Sequence, residues 1–202
     1  MIIVPRRPLA ALSLAALAAM AMMARAPAQD AAKAVAEKAQ LCAACHGASG
    51  VPIDKKTPVI WGQQAGYLYL QLRDFKSGAR KNPIMGPMAQ SLKHDEMLAL
   101  GEYFSKKQWP QLGQPPAPAD VAHVAEQANS SIGCTGCHQG DYQGAGTQPR
   151  LAGQRREYLL SQMLAFRDGS RGNNPGMSDL MKAASKNQLA AMAPYLAGKL
   201  VR

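Results

Sequence analysis

Between Asp30 and Lys199, stretches in which apolar residues recur every three or four positions alternate with stretches broken by proline and glycine. The periodic stretches predict helices. Asp30 to Ala44 is rich in alanine, with Lys33, Glu37 and Lys38 interspersed, and predicts a first helix. Tyr67 to Lys76 (YLYLQLRDFK) predicts an amphipathic helix that stops at Ser77-Gly78. Asp95 to Lys107 predicts another, with Met97, Leu98, Leu100, Tyr103 and Phe104 as apolar positions. Asp120 to Ser131 and Asn187 to Lys199 predict two more. Gly47 to Ile60 and Ala79 to Ala89 carry prolines and predict irregular chain. No stretch sustains period-two alternation, so no sheet is expected.

The pattern occurs twice. Pro149 to Leu160 (PRLAGQRREYLL) aligns with Pro58 to Tyr69 (PVIWGQQAGYLY), and Phe166 to Arg171 (FRDGSR) with Phe75 to Arg80 (FKSGAR). The helix from Asn187 aligns with the one from Asp95, and the offset stays at 91 or 92 residues throughout. One small helical domain is therefore duplicated. Gln108 to Ala119 (QWPQLGQPPAPA) holds four prolines and no helical period, which predicts a semi-rigid linker. The expected domains are residues 29–107 and 120–202, joined by a linker over 108–119 and preceded by a leader over 1–28.

The leader follows from charge and composition. Arg6 and Arg7 precede an apolar run from Leu9 to Ala24 and then Ala-Arg-Ala-Pro-Ala. This is the pattern of a secretory signal peptide, with cleavage expected after Ala28. The run is short for a membrane span, which needs about 20 apolar residues. Arg6, Arg7 and Arg25 leave with the leader and no acid does, so the formal charge falls from +10 to +7. A basic exported protein suits an acidic partner or peripheral contact with an anionic membrane surface. Export and the scattered placement of the lysines and arginines argue against nucleic acid. Aromatic residues make up 5% of the chain, so each small domain is short of large core side chains. A buried cofactor would supply that volume.

The chemistry lies in two pentapeptides. Residues 42–46 read Cys-Ala-Ala-Cys-His and residues 134–138 read Cys-Thr-Gly-Cys-His, and together they hold every cysteine in the chain. C-x-x-C-H is the pattern of covalent c-type haem attachment. Cys42, Cys45, Cys134 and Cys137 would bind the two haem vinyl groups, and His46 and His138 would ligate the irons. A thioredoxin-like exchange site would need a strand and a βαβ setting, and both motifs follow helical sequence instead. The sixth iron ligand could be absent, His or Met. His94 aligns with Lys186, and His123 has Ala31 in the corresponding place, so neither histidine is duplicated. Met85 and Met177 each lie two residues after an aligned proline, Pro83 and Pro175, in equivalent loops. They are the candidate ligands, with packing on the haem edge as the alternative. Met97, Met192 and Met163 fall at core positions of helices. Pro58 and Pro149 lie 12 and 11 residues after the histidines, so each is a candidate to offer a carbonyl to the other ring nitrogen. Tyr67, Tyr158, Arg80 and Arg171 are candidates to bond haem propionates, or are surface residues.

A helix, C-x-x-C-H, Pro-x-x-x-Gly-Gln before a Tyr-Leu helix, a loop Met and a last helix, all in two copies, resemble the cytochrome c4 family. The resemblance spans the whole mature chain. It implies an all-α protein of two tandem class I cytochrome c domains, each wrapped around one covalent haem c with His/Met iron. It further implies a periplasmic electron-transfer protein rather than an enzyme. Its donor would be a quinol-oxidising complex or a dehydrogenase, and its acceptor a haem–copper terminal oxidase. A second reading is the di-haem electron-accepting subunit of a periplasmic dehydrogenase, such as a flavocytochrome sulfide dehydrogenase. A third is a di-haem peroxidase, which needs one iron able to open. The sequence departs from the family at Ala34 and Ala36, where a helix-crossing glycine is usual, at Lys93, where a capping Ser is usual, and at Pro194 inside the last helix.

Overall fold

Helix starts and stops are set by side chains that satisfy the free backbone groups at the ends. The structure, a computed structural model, describes residue 30 and residues 32–199; the leader expected over 1–28 lies outside the described residues. Helix α1 covers 32–46 and runs without a break through the first C-x-x-C-H. Helix α2 (Ala65–Ser77) ends where Gly78 takes a left-handed φ of 78°, a conformation that costs glycine little. Helices α3 (Met85–Gln90) and α4 (His94–Ser105) complete the first unit. The second unit contains α5 (Ala119–Ile132), α6 (Cys134–His138), α7 (Arg156–Asp168), α8 (Pro175–Ala183) and α9 (Lys186–Ala197). Gly133, also left-handed at φ 78°, ends α5 and gives the second motif its own short helix. Leu41 stands at the equivalent place in the first unit, and there the helix continues. Among the described residues there is no strand, and Ala145 and Gln148 form an isolated bridge.

The chain from Ala79 to Ala89, expected to be irregular, contains α3, and its copy contains α8. Asparagines make the difference. Asn82 Oδ1 accepts the N–H groups of Ile84 and Met85 at 2.9 and 2.8 Å. Asn174 Oδ1 accepts that of Met177 at 3.0 Å. Each caps a helix start. Pro87 and Pro175 fall in first turns, where a missing N–H costs nothing.

Helix α2 packs on α4, and α9 packs on α5 and α7. A Cβ on Gly101 would lie 2.8 Å from the Ala65 carbonyl, so α4 approaches α2 closely there. The first core is small: Ala39, Leu68, Leu100 and Phe104, with Val35, Cys42, Ile60, Trp61, Leu72, Leu92 and Tyr103 against it. Among the described residues the second has fifteen buried members, including Tyr142, Leu159, Met163, Phe166, Met181, Leu189, Met192 and Leu196. Helix α9 continues through Pro194 to Ala197, so the cost is the one backbone bond proline cannot donate. The segment between α4 and α5 is packed rather than loose. Trp109 is 5% exposed beneath the Arg150 guanidinium. Gln114 Nε2 donates to the Gln154 and Ala197 carbonyls at 2.9 and 3.3 Å.

Candidate haem sites

Each pentapeptide ends at a buried histidine. His46 is 7% and His138 6% exposed. His46 Nδ1 donates to the Pro58 carbonyl at 2.8 Å, and His138 Nδ1 donates to the Pro149 carbonyl at 2.9 Å. These are the two prolines that sequence spacing singled out. Donation from Nδ1 fixes the tautomer and leaves the Nε2 lone pair free to bind a metal. Burial pushes both imidazoles below their ordinary value, against the opposing effect of the carbonyl bond. Burial thus favours the neutral imidazole at both positions, the form a metal would require. No disulfide joins any of the four cysteines. Cys42 and Cys134 are half-buried, and burial pushes both up; Cys45 and Cys137 are exposed. In the second unit Gln139 holds a left-handed φ of 68° directly after His138, where the first unit has Gly47 at φ 89°. That is strained backbone for a residue with a side chain.

Met85 begins α3 and Met177 lies in the first turn of α8. Both are half-buried. Met177 packs against the same core as Cys134. Met181 is 4% exposed inside that core, and Met88 is 42% exposed, so neither pairs with an equivalent in the other unit. Met97, Met192 and Met163 are buried in cores or helix contacts. His94 bonds Asp95 and stacks edge-on with Tyr69, and His123 bonds Gln127, both on exposed helix faces.

Where the two units meet, Arg80 and Arg171 are 8% and 7% exposed. Each makes bonds within its own unit and across to the other. Arg80 donates to Gln71 (2.8 Å), Tyr158 (3.1 Å) and Gln162 (2.6 Å). Arg171 donates to Gln162 (2.9 Å), Tyr67 (3.4 Å), Gln71 (2.9 Å) and Asn173 (3.0 Å). All these acceptors are neutral, and among the described residues neither guanidinium pairs with a carboxylate. Burial pushes the Tyr158 hydroxyl up, but the two guanidiniums outweigh it and hold it below its ordinary value. The buried Asp74 carboxylate reaches the cluster only through Asn173 Nδ2, at 2.7 Å, and is itself paired with Arg73; two buried guanidiniums with no direct anionic partner are costly. Haem propionates are the anions this cluster suits. With two thiols, a neutral imidazole and a cationic cluster, the residues of each unit fit a covalently held haem.

Sequence reasoning gave no role to Gln63 and Gln154, both 3% exposed. Each closes a two-bond clamp on the other unit. Gln154 takes the Val59 N–H on Oε1 at 2.8 Å and donates to the Val59 carbonyl at 3.0 Å. Gln63 takes the Arg150 N–H at 2.7 Å and donates to the Arg150 carbonyl at 2.9 Å. The signal was present in the paired Gly-Gln sequences. Asn82 and Asn174 were also missed, and their shared Asn-Pro-x-Met spacing could have revealed them.

Similarity to known proteins agrees with this geometry. The family model described as cytochrome c matches residues 121–198. Cytochrome c4 of Thiocapsa roseopersicina is 33% identical over 170 residues, covering 78% of this chain and 86% of that protein. The chain belongs to the cytochrome c4 family. The cytochrome c4 structure from Acidithiobacillus ferrooxidans superposes with a TM-score of 0.70 at 32% identity, covering 78% of this chain and 97% of that one. The thiosulfate dehydrogenase electron acceptor of Stutzerimonas stutzeri is 35% identical over 178 residues, covering 79% of each chain. As a cytochrome c4, the protein is an all-α di-haem electron carrier with two covalently attached haem c groups.

Proposed function

We propose that the chain is a periplasmic carrier, exported by a cleaved signal peptide, that takes electrons from a dehydrogenase of reduced sulfur compounds and passes them to a haem–copper terminal oxidase. In this reading residues 29–107 and 120–202 form one haem domain each. Cys42, Cys45, Cys134 and Cys137 attach the haems, with His46 and Met85 on one iron and His138 and Met177 on the other. The carrying observation is the duplication of the whole arrangement: a carbonyl-fixed neutral histidine and an asparagine-capped methionine turn in both units. When bound, the haems supply reversible one-electron chemistry at the iron. The protein holds the imidazoles in one tautomer, presents a thioether to each iron and balances the propionates with Arg80 and Arg171. With His46 and Met85 on one iron and His138 and Met177 on the other, no position would be left open for peroxide, and outer-sphere transfer would be favoured.

The Stutzerimonas relative is, by its name, the acceptor of a thiosulfate dehydrogenase, and this favours a sulfur-compound dehydrogenase as donor. It also supports a second reading, in which the chain is the dedicated electron-accepting subunit of such an enzyme. Stopped-flow mixing of the oxidised holoprotein with a thiosulfate dehydrogenase and thiosulfate tests the donor. Mixing of the reduced form with membranes containing a haem–copper oxidase tests the acceptor. Fast reduction and fast oxidation are expected. Co-purification with a dehydrogenase at constant ratio, with no oxidation by the membranes, would favour the subunit reading.

A further inference from the structure

The glutamine clamps do more than join the units. The Pro58–Val59 peptide accepts from His46 Nδ1 on its carbonyl side and donates to Gln154 Oε1 on its N–H side. The Pro149–Arg150 peptide does the same between His138 and Gln63. Both chains are short at every link, with His-to-carbonyl distances of 2.8 and 2.9 Å and N–H-to-Gln distances of 2.8 and 2.7 Å. Both glutamines are fixed at their own end as well. Gln154 Oε1 also takes the Arg155 N–H at 2.9 Å, and Gln63 Oε1 takes that of Gln64 at 2.9 Å.

Hydrogen bonds in series polarise one another. A peptide whose N–H is engaged has a more negative carbonyl oxygen and accepts more strongly. A stronger bond to Nδ1–H makes the imidazole a better donor from Nε2, and a more basic ligand favours ferric iron. The direction of the effect is therefore set: each glutamine lowers the potential of an iron, and that iron belongs to the other domain.

We propose that Gln154 is a positioning residue for His46, and Gln63 for His138, so that each domain tunes the reduction potential of its neighbour's haem across the interface. The proposal rests on the reading of His46 and His138 as iron ligands. The two glutamines tie apposition of the domains to the potentials, so a partner that altered the fit between domains would alter both haems at once.

The test is a redox titration of the holoprotein in which each haem is followed by its own hyperfine-shifted methyl resonances. Two attached haems with assigned histidine ligands establish the underlying reading before any variant is made. In Gln154→Leu the ferrous-to-ferric ratio of the His46 haem at fixed poise should rise, on the order of twofold, while the His138 haem stays at its wild-type value. Gln63→Leu should do the reverse. In the reduced protein the Nδ1 proton of the histidine in the opposite domain should move upfield. Gln154→Glu and Gln63→Glu keep the accepting oxygen and lose the Nε2 donor. They should leave the opposite haem at or below its wild-type potential, and they serve if the leucine variants do not fold. A shift confined to the glutamine's own domain, equal shifts at both haems, no shift at either, or a rise in the Glu variants would overturn the proposal.

Discussion

At the scale of single residues, the site is a matter of which lone pairs are left free. His46 and His138 each have Nδ1 committed to a proline carbonyl, so Nε2 is the nitrogen available to iron. In the proposed reading Met85 closes the first iron and Met177 the second. Met85→Ala should therefore convert one haem of two from inert to carbon monoxide-binding, lower its potential and halve the weak far-red absorption of sulfur-ligated ferric iron. Carbon monoxide titration of the reduced protein reads this directly, and no uptake would remove Met85 from the coordination sphere. The cysteines and histidines were legible in the sequence because their chemistry is written in local spacing. The equivalent placement of Met85 and Met177 at the starts of α3 and α8 was legible through the repeat. Gln63 and Gln154 were not, because their partners lie 87 and 95 residues away, and a buried glutamine carries no local mark of what it bonds.

At the scale of elements, the two copies differ in how well each helix is finished. Ser185 and Gln188 exchange both bonds of a capping box at the start of α9, at 3.1 and 2.8 Å. At the start of α4, Lys93 has no side-chain acceptor, and only the return bond forms, from the Lys93 N–H to Glu96 at 2.8 Å. Lys93→Ser should complete the box and stabilise the protein by about 1 kcal/mol in guanidinium unfolding. The Glu96 carboxyl is held below its ordinary value by the Lys93 N–H and by Lys38. A depressed folded-state value means this contribution is present above the ordinary carboxylate range and is lost as pH falls through the lowered value. Glu96→Gln should flatten the acid side of the stability profile and leave neutral-pH electron transfer unchanged. Gly101→Ala should cost roughly 1–3 kcal/mol, since its Cβ would press on the Ala65 carbonyl. The long helices followed from apolar periodicity. Helices α3 and α8 did not, because they are too short for a period to show and exist through Asn82 and Asn174.

At the scale of the whole molecule, the duplication conceals an imbalance. Among the described residues the first core cluster has four buried residues and the second fifteen, with Val59, Phe75, Ala89, Met97 and Trp109 buried outside the first cluster, so the first unit depends more on its haem for contiguous buried apolar volume. Blocking attachment with Cys42→Ser and Cys45→Ser should cost more helical circular dichroism and more of the unfolding midpoint than Cys134→Ser with Cys137→Ser. Equal losses would contradict that dependence. The proline-rich segment between the units was expected as a semi-rigid spacer, and its composition gave no sign that it would be gripped from both sides. Trp109 is buried under Arg150 before Gly113, and Gln114 is bonded to Gln154 and Ala197 after it. A protease cutting the chain at Gly113 would release neither half, because the Trp109–Arg150 contact and the Gln63 and Gln154 clamps still cross the cut. The nicked protein should elute as one particle and separate into two fragments only in denaturant, so covalent continuity is dispensable once the halves have met.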